Sequence, residues 1–117
     1  MITVHIVDDH KILVEGLKKL IDSSGFATTV DLSYTGAECL WKLGFNQPQV
    51  LLLDINLPDC SGIELCKTIK NRFPGVKIVA LTSYSEYTIV RQMLENGASG
   101  YVIKNAMPEE ILLGIQT

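Results

Sequence analysis

The sequence predicts an α/β fold in which a doubly wound, five-stranded parallel sheet carries helices on both faces. Two observations predict it. Five short apolar or β-branched segments alternate with five longer segments whose apolar residues recur every three to four positions. One of the short segments, Val50–Leu53, is apolar at every position, which is typical of a central parallel strand covered by helices on both sides.

Size and composition indicate a single domain. The chain has 117 residues, 47% of them hydrophobic, which suffices for one core. A net charge of −3 offers no basic surface for nucleic acid, and no apolar run approaches the roughly 18–20 residues of a membrane span. The start of the chain lacks a secretion signal, so we expect a cytoplasmic protein. Three cysteines without C-x-x-C spacing are expected to be reduced thiols.

The strand candidates are short, and apolar and β-branched residues predominate in them. In order they are Val4–Val7, Thr28–Tyr34, Val50–Leu53, Lys77–Leu81 and Gly100–Ile103. Short right-handed connections between parallel strands leave few possible topologies for such a set.

The helix candidates are recognised by their apolar periodicity and by the residues that end them. The apolar faces are expected at Leu13, Leu17, Leu20 and Ile21; Ala37, Leu40 and Leu43; Ile63, Cys66 and Ile69; and Ile89, Val90, Met93 and Leu94. Glycines 25, 44, 75 and 97 follow these helices in order, and glycine is the usual helix stop. The fifth helix begins at Pro108, which the first helical turn tolerates, and it reaches the last residue without a cap.

Polar residues follow four of the five strand candidates directly. Asp8 and Asp9 come after the first strand, Asp54 after the third, Thr82 after the fourth and Lys104 after the fifth. The carboxyl ends of parallel strands meet at one edge of the sheet, where open α/β sheets bind their ligands. We therefore expect these side chains to share one pocket.

Such a pocket can hold a divalent cation and stabilise a phosphoryl group. Mg²⁺ prefers oxygen ligands, and we expect Asp9 and Asp54 to bind it with Asp8 assisting through water. The hypothesis is attack by an Asp54 oxygen on phosphorus to give an acyl phosphate, with Lys104 and Thr82 stabilising the phosphoryl oxygens.

Each of these residues also has an ordinary structural explanation. Asp8 and Asp9 could cap the following helix, Asp54 could cap a loop, Thr82 could begin a turn, and Lys104 could be a solvated lysine. The shared-pocket hypothesis explains all five at once, whereas the structural explanations treat each separately.

Four stretches of the chain resemble response-regulator receiver domains of bacterial two-component signalling. They are Val7-Asp8-Asp9-His10, LDINLP at 53–58, ALTS at 80–83 and GASGYVIK at 97–104. The run Asp8-Asp9-His10, and Asn105-Ala106 where Pro is common after Lys104, are most similar to the subfamily with a LuxR-type helix-turn-helix output domain. The resemblance implies a flavodoxin-like sheet of strand order 2-1-3-4-5.

The resemblance also implies roles for individual residues. Asp54 is the expected phosphoacceptor, assisted by Lys104 and Thr82. The expected ligands of Mg²⁺, with Mn²⁺ as a possible substitute, are Asp8, Asp9, Asp54 and the backbone carbonyl of Asn56. The expected switch pair is Thr82 with Tyr101, and the positions expected to tune phosphate lifetime are Asn56 and Tyr84.

For the whole protein, the resemblance implies a phosphorylation-dependent switch. A histidine kinase would be the phosphoryl donor, and phosphorylation would favour a homodimer. We expect residues 1–117 to be the receiver domain, with its last helix truncated and a DNA-binding output domain beyond Thr117. Such a domain catalyses its own phosphorylation and dephosphorylation without being a turnover enzyme.

Three other hypotheses stay open at this stage. A haloacid-dehalogenase-type phosphatase needs an acid two residues after Asp54, where this chain has Asn56. A flavodoxin-like binding module needs a glycine-rich phosphate loop after the first strand, where this chain has Asp8-Asp9-His10-Lys11. A degenerate receiver that acts only as an interaction domain is disfavoured because all five pocket positions are intact.

Overall fold

The computed structural model describes residues 1–82, 87–104 and 108–116, and strands alternate with helices throughout this part of the chain. The strands are β1 (Ile2–Val7), β2 (Ala27–Ser33), β3 (Val50–Asp54), β4 (Lys77–Thr82) and β5 (Gly100–Ile103). The helices are α1 (Lys11–Asp22), α2 (Gly36–Leu43), α3 (Gly62–Arg72), α4 (Tyr87–Glu95) and α5 (Pro108–Gln116). This order confirms the predicted α/β class.

The strands form one parallel sheet in the order β2-β1-β3-β4-β5, as predicted. The strand order reverses between β1 and β3, and open α/β sheets bind their ligands at such a reversal. The register aligns the strand ends, because Val7 pairs with Leu53, Asp54 with Leu81, and Thr82 with Ile103. The residues at the carboxyl ends of β1, β3, β4 and β5 are therefore brought to one edge.

Two apolar layers lie on opposite faces of the sheet. Alternate residues of β3 serve both layers: Leu51 and Leu53 pack with α2, α3 and α4, whereas Val50 and Leu52 pack with α1 and α5. Every residue of β3 is buried, which confirms the interpretation of its continuous apolar run.

The helix ends follow local rules that are visible in the sequence. Thr35 caps α2 by accepting a hydrogen bond from the Glu38 N–H, and the Glu38 carboxylate accepts one from the Tyr34 N–H. Gly25 (φ 87°) and Gly97 (φ 109°) adopt the left-handed conformation expected after α1 and α4.

Two predicted inward-facing residues are wrong. Ala37 is exposed, because the buried face of α2 is centred on Gly36, Cys39 and Leu43. Leu94 is 44% exposed, because the buried stripe of α4 runs through Val90 and Met93 and Leu94 lies at its margin. Within the described residues, no helix combines the length and the apolar character needed to span a membrane.

Candidate functional site

The carboxyl ends of β1, β3 and β5 meet in a charged pocket. The Lys104 Nζ lies 2.8 Å from Asp8 Oδ2 and 3.1 Å from Asp54 Oδ1. Asp8 is fully buried, Asp54 is 2% exposed, and the Lys104 side chain is 12% exposed. The structure thus brings together three of the five residues that the sequence placed at this edge, in direct contact.

The backbone that carries Asp54 is fixed by the close approach of α3. The Gly62 N–H donates to the Ile55 carbonyl at 2.6 Å, and Asn56 forms an isolated bridge with Ser61. A Cβ atom at position 62 would lie only 2.3 Å from the Asp54 carbonyl oxygen, so this position requires glycine. The Asn56 N–H also donates to Asp54 Oδ1 at 3.2 Å, which orients the carboxylate.

The other strand ends are tied to the same edge. The Lys104 N–H donates to the Thr82 carbonyl at 2.7 Å, which extends the β4–β5 ladder by one residue and holds Lys104 beside the end of β4. Thr82 is 6% exposed at the last position of β4. Asp9 lies next to Asp8 with its side chain 41% exposed.

His10 also belongs to this pocket, although the sequence pattern did not predict it. Its Nδ1 lies 2.7 Å from Asp8 Oδ1, 3.5 Å from Asp9 Oδ1 and 3.3 Å from Lys104 Nζ. Its backbone N–H donates to Asp8 Oδ1 at 2.9 Å. A usable signal was present in the sequence, because His10 occupies the N-cap position of α1, which usually holds Ser, Thr, Asp or Asn.

The electrostatics of the pocket follow from the burial of charge. Desolvation and then the nearby charge of Asp8 raise the pKa of Asp54, while Lys104 and the Asn56 N–H act in the opposite direction. Burial alone lowers the pKa of Lys104, but hydrogen bonds and charge from Asp8 and Asp54 outweigh it, so that the pKa is raised. Lys104 is therefore an ammonium at neutral pH.

The acidic residues of the pocket fit a divalent cation. One ligand atom from each of Asp8, Asp9, His10 and Asp54 can be chosen so that all lie within 4.8 Å of one another. Three carboxylates and one ammonium carry a formal charge of −2. Within the described residues, the buried Asp54 Oδ2 has no hydrogen-bond partner. Buried charge of this kind is usually paired or bound to metal.

The remaining predicted residues lie around this pocket or outside the described residues. Tyr101 is on β5 and is 45% exposed, and Asn56 is exposed in the loop after Asp54. Tyr84 and Asn105 fall outside the described residues, and so does the peptide bond between 104 and 105.

The sequence profile of the response regulator receiver domain matches residues 4–116. This match covers almost all of the chain, so the protein belongs to the family of receiver domains of two-component response regulators. The predicted family and fold are therefore confirmed.

The chain is similar to curated regulatory proteins of other bacteria. It is 33% identical over 116 residues to the DNA-binding transcriptional activator DevR/DosR of Mycobacterium tuberculosis, covering 99% of this chain and 54% of that protein. It is also 33% identical over 113 residues to the oxygen regulatory protein NreC of Staphylococcus carnosus, covering 96% of this chain and 52% of that protein. The chain spans about half the length of these relatives.

Solved structures share the whole fold. A LuxR-family two-component response regulator from Aurantimonas superposes with a TM-score of 0.93 at 28% identity, covering 99% of this chain and 83% of that one. The signal receiver domain of a response regulator named NarL from Mycobacterium tuberculosis superposes with a TM-score of 0.92 at 26% identity. The match covers 98% of this chain and 93% of that one.

Proposed function

We propose that this chain is a phosphorylation-dependent switch in which Asp54 accepts a phosphoryl group from a histidine kinase. One observation carries the proposal. Asp54 is buried at the carboxyl end of β3 with the Lys104 ammonium 3.1 Å from its Oδ1, while its Oδ2 has no hydrogen-bond partner in the described part of the chain. A carboxylate oriented through one oxygen and unengaged at the other is suited to act as a nucleophile.

In this proposal a bond forms between an Asp54 oxygen and phosphorus while the donor's phosphorus–nitrogen bond breaks. The histidine nitrogen of the donor keeps the electron pair. Lys104 balances the negative charge that the phosphoryl group brings into the pocket, and Thr82 hydrogen-bonds one of its oxygens. Asp8, Asp9 and Asp54, with the Asn56 carbonyl, would hold Mg²⁺ or Mn²⁺, which when bound supplies further positive charge to the phosphoryl oxygens.

The switch would act through Thr82 and Tyr101. Tyr101 pairs with Ala80 of β4, two residues before Thr82, and its side chain is 45% exposed. We infer that Thr82 moves toward the phosphoryl group and that the Tyr101 ring turns inward behind it. Asn56 and Tyr84 would set the lifetime of the phosphate by controlling water access.

At the level of the whole protein, we propose that phosphorylation favours a homodimer and controls transcription through a DNA-binding output domain. The support is the relative described as a DNA-binding transcriptional activator, of which this chain matches about half the length. A receiver that takes its phosphoryl group from a kinase and acts on DNA would work in the cytoplasm. It would catalyse its own phosphorylation and dephosphorylation without being a turnover enzyme.

Intact mass after incubation with Mg²⁺ and acetyl phosphate tests the proposal directly. We expect one phosphoryl group on the wild type and none on Asp54→Asn. Asp59→Asn is the matched control, because Asp59 is an exposed carboxylate on the same loop, and this variant should still be phosphorylated.

Other outcomes would contradict the proposal. No adduct on the wild type would favour a receiver that acts only through protein contacts, and an adduct that persists in Asp54→Asn would place the phosphoacceptor elsewhere. Continuous hydrolysis of a small phosphoester would instead indicate a phosphatase.

A further inference from the structure

We propose that His10 is a nitrogen ligand of the cation site, so that the site binds a divalent transition ion such as Mn²⁺ through a mixed oxygen and nitrogen set. The inference deepens the proposed function, because it uses the same carboxylates. It assigns a role to a side chain that the phosphoryl-transfer chemistry leaves unused.

The first support is the position of the imidazole nitrogen. His10 Nδ1 lies 2.7 Å from Asp8 Oδ1 and 3.5 Å from Asp9 Oδ1. Two donor atoms that bind one ion at about 2.1 Å and at right angles to each other are about 3 Å apart. The nitrogen therefore has the spacing from both carboxylates that neighbouring ligands of a single ion have.

The second support is independent of His10. Asp54 Oδ2 belongs to a side chain that is only 3% exposed, and it lacks a hydrogen-bond partner within the described residues. Lys104 neutralises one of the three carboxylate charges and leaves an excess of −2, which a divalent cation matches. The unpartnered Asp54 oxygen and the uncompensated negative charge both indicate a cation at this place.

The third support is that His10 breaks a local rule. It stands at the N-cap of α1, yet its side chain makes no capping hydrogen bond and lies against the carboxylates instead. A residue that forgoes a favourable local role is often a functional one. The chain has two histidines, and the other, His5, is fully buried with its Nε2 2.7 Å from Ser33 Oγ. His10 is therefore the imidazole available to this site.

A nitrogen ligand changes which metal is preferred. Mg²⁺ selects oxygen ligands, whereas imidazole favours the first-row transition ions. In the metal-free pocket the Nδ1–H can donate to Asp8. A bound ion would displace that proton, and the neutral imidazole would then carry its proton on Nε2. We therefore expect His10 to contribute to the affinity for Mn²⁺ and to contribute little to the affinity for Mg²⁺.

Electron paramagnetic resonance of bound Mn²⁺ tests the inference in the wild type and in His10→Asn. Asn is a favoured N-cap residue, so the variant should keep α1 folded, which circular dichroism verifies. We expect a pulsed experiment on the wild type to show the ¹⁴N coupling of a directly bound imidazole, and the variant to lack it. We also expect at least about a ten-fold loss of Mn²⁺ affinity, with less than about a two-fold change for Mg²⁺.

The control is Asp9→Asn, which should weaken both metals because it removes an oxygen ligand. The inference is overturned if the wild type binds no Mn²⁺, if its bound Mn²⁺ lacks nitrogen coupling, or if His10→Asn loses both metals equally. Equal loss would mean that His10 only orients Asp8. Phosphorylation by acetyl phosphate with Mg²⁺ is scored separately, so the proposed function can fail while the nitrogen coupling persists.

Discussion

Two buried carboxylates, Asp8 and Asp54, share the single ammonium of Lys104. Negative charge is therefore in excess in the pocket, and this excess influences the stability of the fold. The pKa of Asp54 is raised by burial and then by Asp8. A carboxyl group whose pKa is raised on folding stabilises the fold at low pH, and that stability is lost as the pH rises through the folded pKa. At neutral pH Asp54 is therefore a cost to the stability of the metal-free protein.

Asp54→Asn should accordingly stabilise the metal-free chain at pH 7. We expect the melting temperature in EDTA to rise by a few degrees, since about 1 kcal/mol corresponds to roughly 4 °C for a domain of this size. Lys104 keeps its contact with Asp8 in the variant. The difference in melting temperature between Asp54→Asn and the wild type should be smaller at pH 3, where the wild-type Asp54 carboxyl is protonated. A lower melting temperature at pH 7 would show that Asp54 stabilises the fold.

His5 gives the opposite dependence on pH. It is fully buried, its Nε2 contacts Ser33 Oγ at 2.7 Å, and burial lowers its pKa to about 4. The unfolded chain has an ordinary histidine pKa near 6.5, so stability is complete above pH 6.5 and is lost as the pH falls toward 4. Urea unfolding between pH 7 and 4 should show this decline. His5→Gln should flatten the profile over that range, and an unchanged slope in the variant would exclude His5 as its source.

At the scale of elements, α2 is anchored by a residue from a distant loop. The carboxylate of Asp59 accepts hydrogen bonds from the N–H groups of Gly36 at 2.8 Å and Ala37 at 3.0 Å, and these bonds lower the pKa of Asp59. The first turn of a helix has free N–H groups and a positive dipole end, both of which favour a carboxylate. The loop that follows Asp54 is thereby fastened to α2.

Asp59→Ala should destabilise the domain by about 1 kcal/mol, the usual cost of losing a helix cap. The midpoint of urea unfolding at pH 7 measures it, and Asp59→Asn should recover part of the loss because one oxygen can still accept. Glu64→Ala is the control, since Glu64 is an exposed acid near the same loop. Equal effects of Asp59→Ala and Glu64→Ala would rule out a specific role for the cap.

The positions of the helices and strands were largely predictable from the sequence. The contacts that loop residues make with these helices and strands were not predictable. The apolar run before Asp54 and the glycines after α1 and α4 are local signals, and the structure confirms them. The contacts of Asp59 and His10 depend on how loops fold across the strand ends. The exposed position of Leu94 depends on a helix rotation that periodicity does not resolve.

At the scale of the whole molecule, the order of the strands in the sheet brings the residues of the site together. The sheet order places β1 beside β3 at the reversal point, so that Asp8 and Asp54, which are 46 residues apart in sequence, lie in one pocket. Lys104 lies near the other end of the chain, directly after β5, and the pairing of β5 with β4 brings it to the same pocket. The fold therefore gathers carboxylates whose mutual repulsion opposes folding, and a ligand that relieves this repulsion should stabilise the entire domain.

Mg²⁺ is expected to be such a ligand. A ligand that binds only the folded state stabilises it by about 2.7 kcal/mol at a hundred times its dissociation constant. The melting temperature of the wild type should thus rise with MgCl₂ and fall back on addition of EDTA. NaCl at equal ionic strength should give a much smaller rise, because screening alone does not fill the pocket. Asp9→Asn should lose most of the Mg²⁺ effect while keeping its response to NaCl. A rise that is equal in the two salts, or that survives in Asp9→Asn, would show that the stabilisation does not come from a cation bound by these carboxylates.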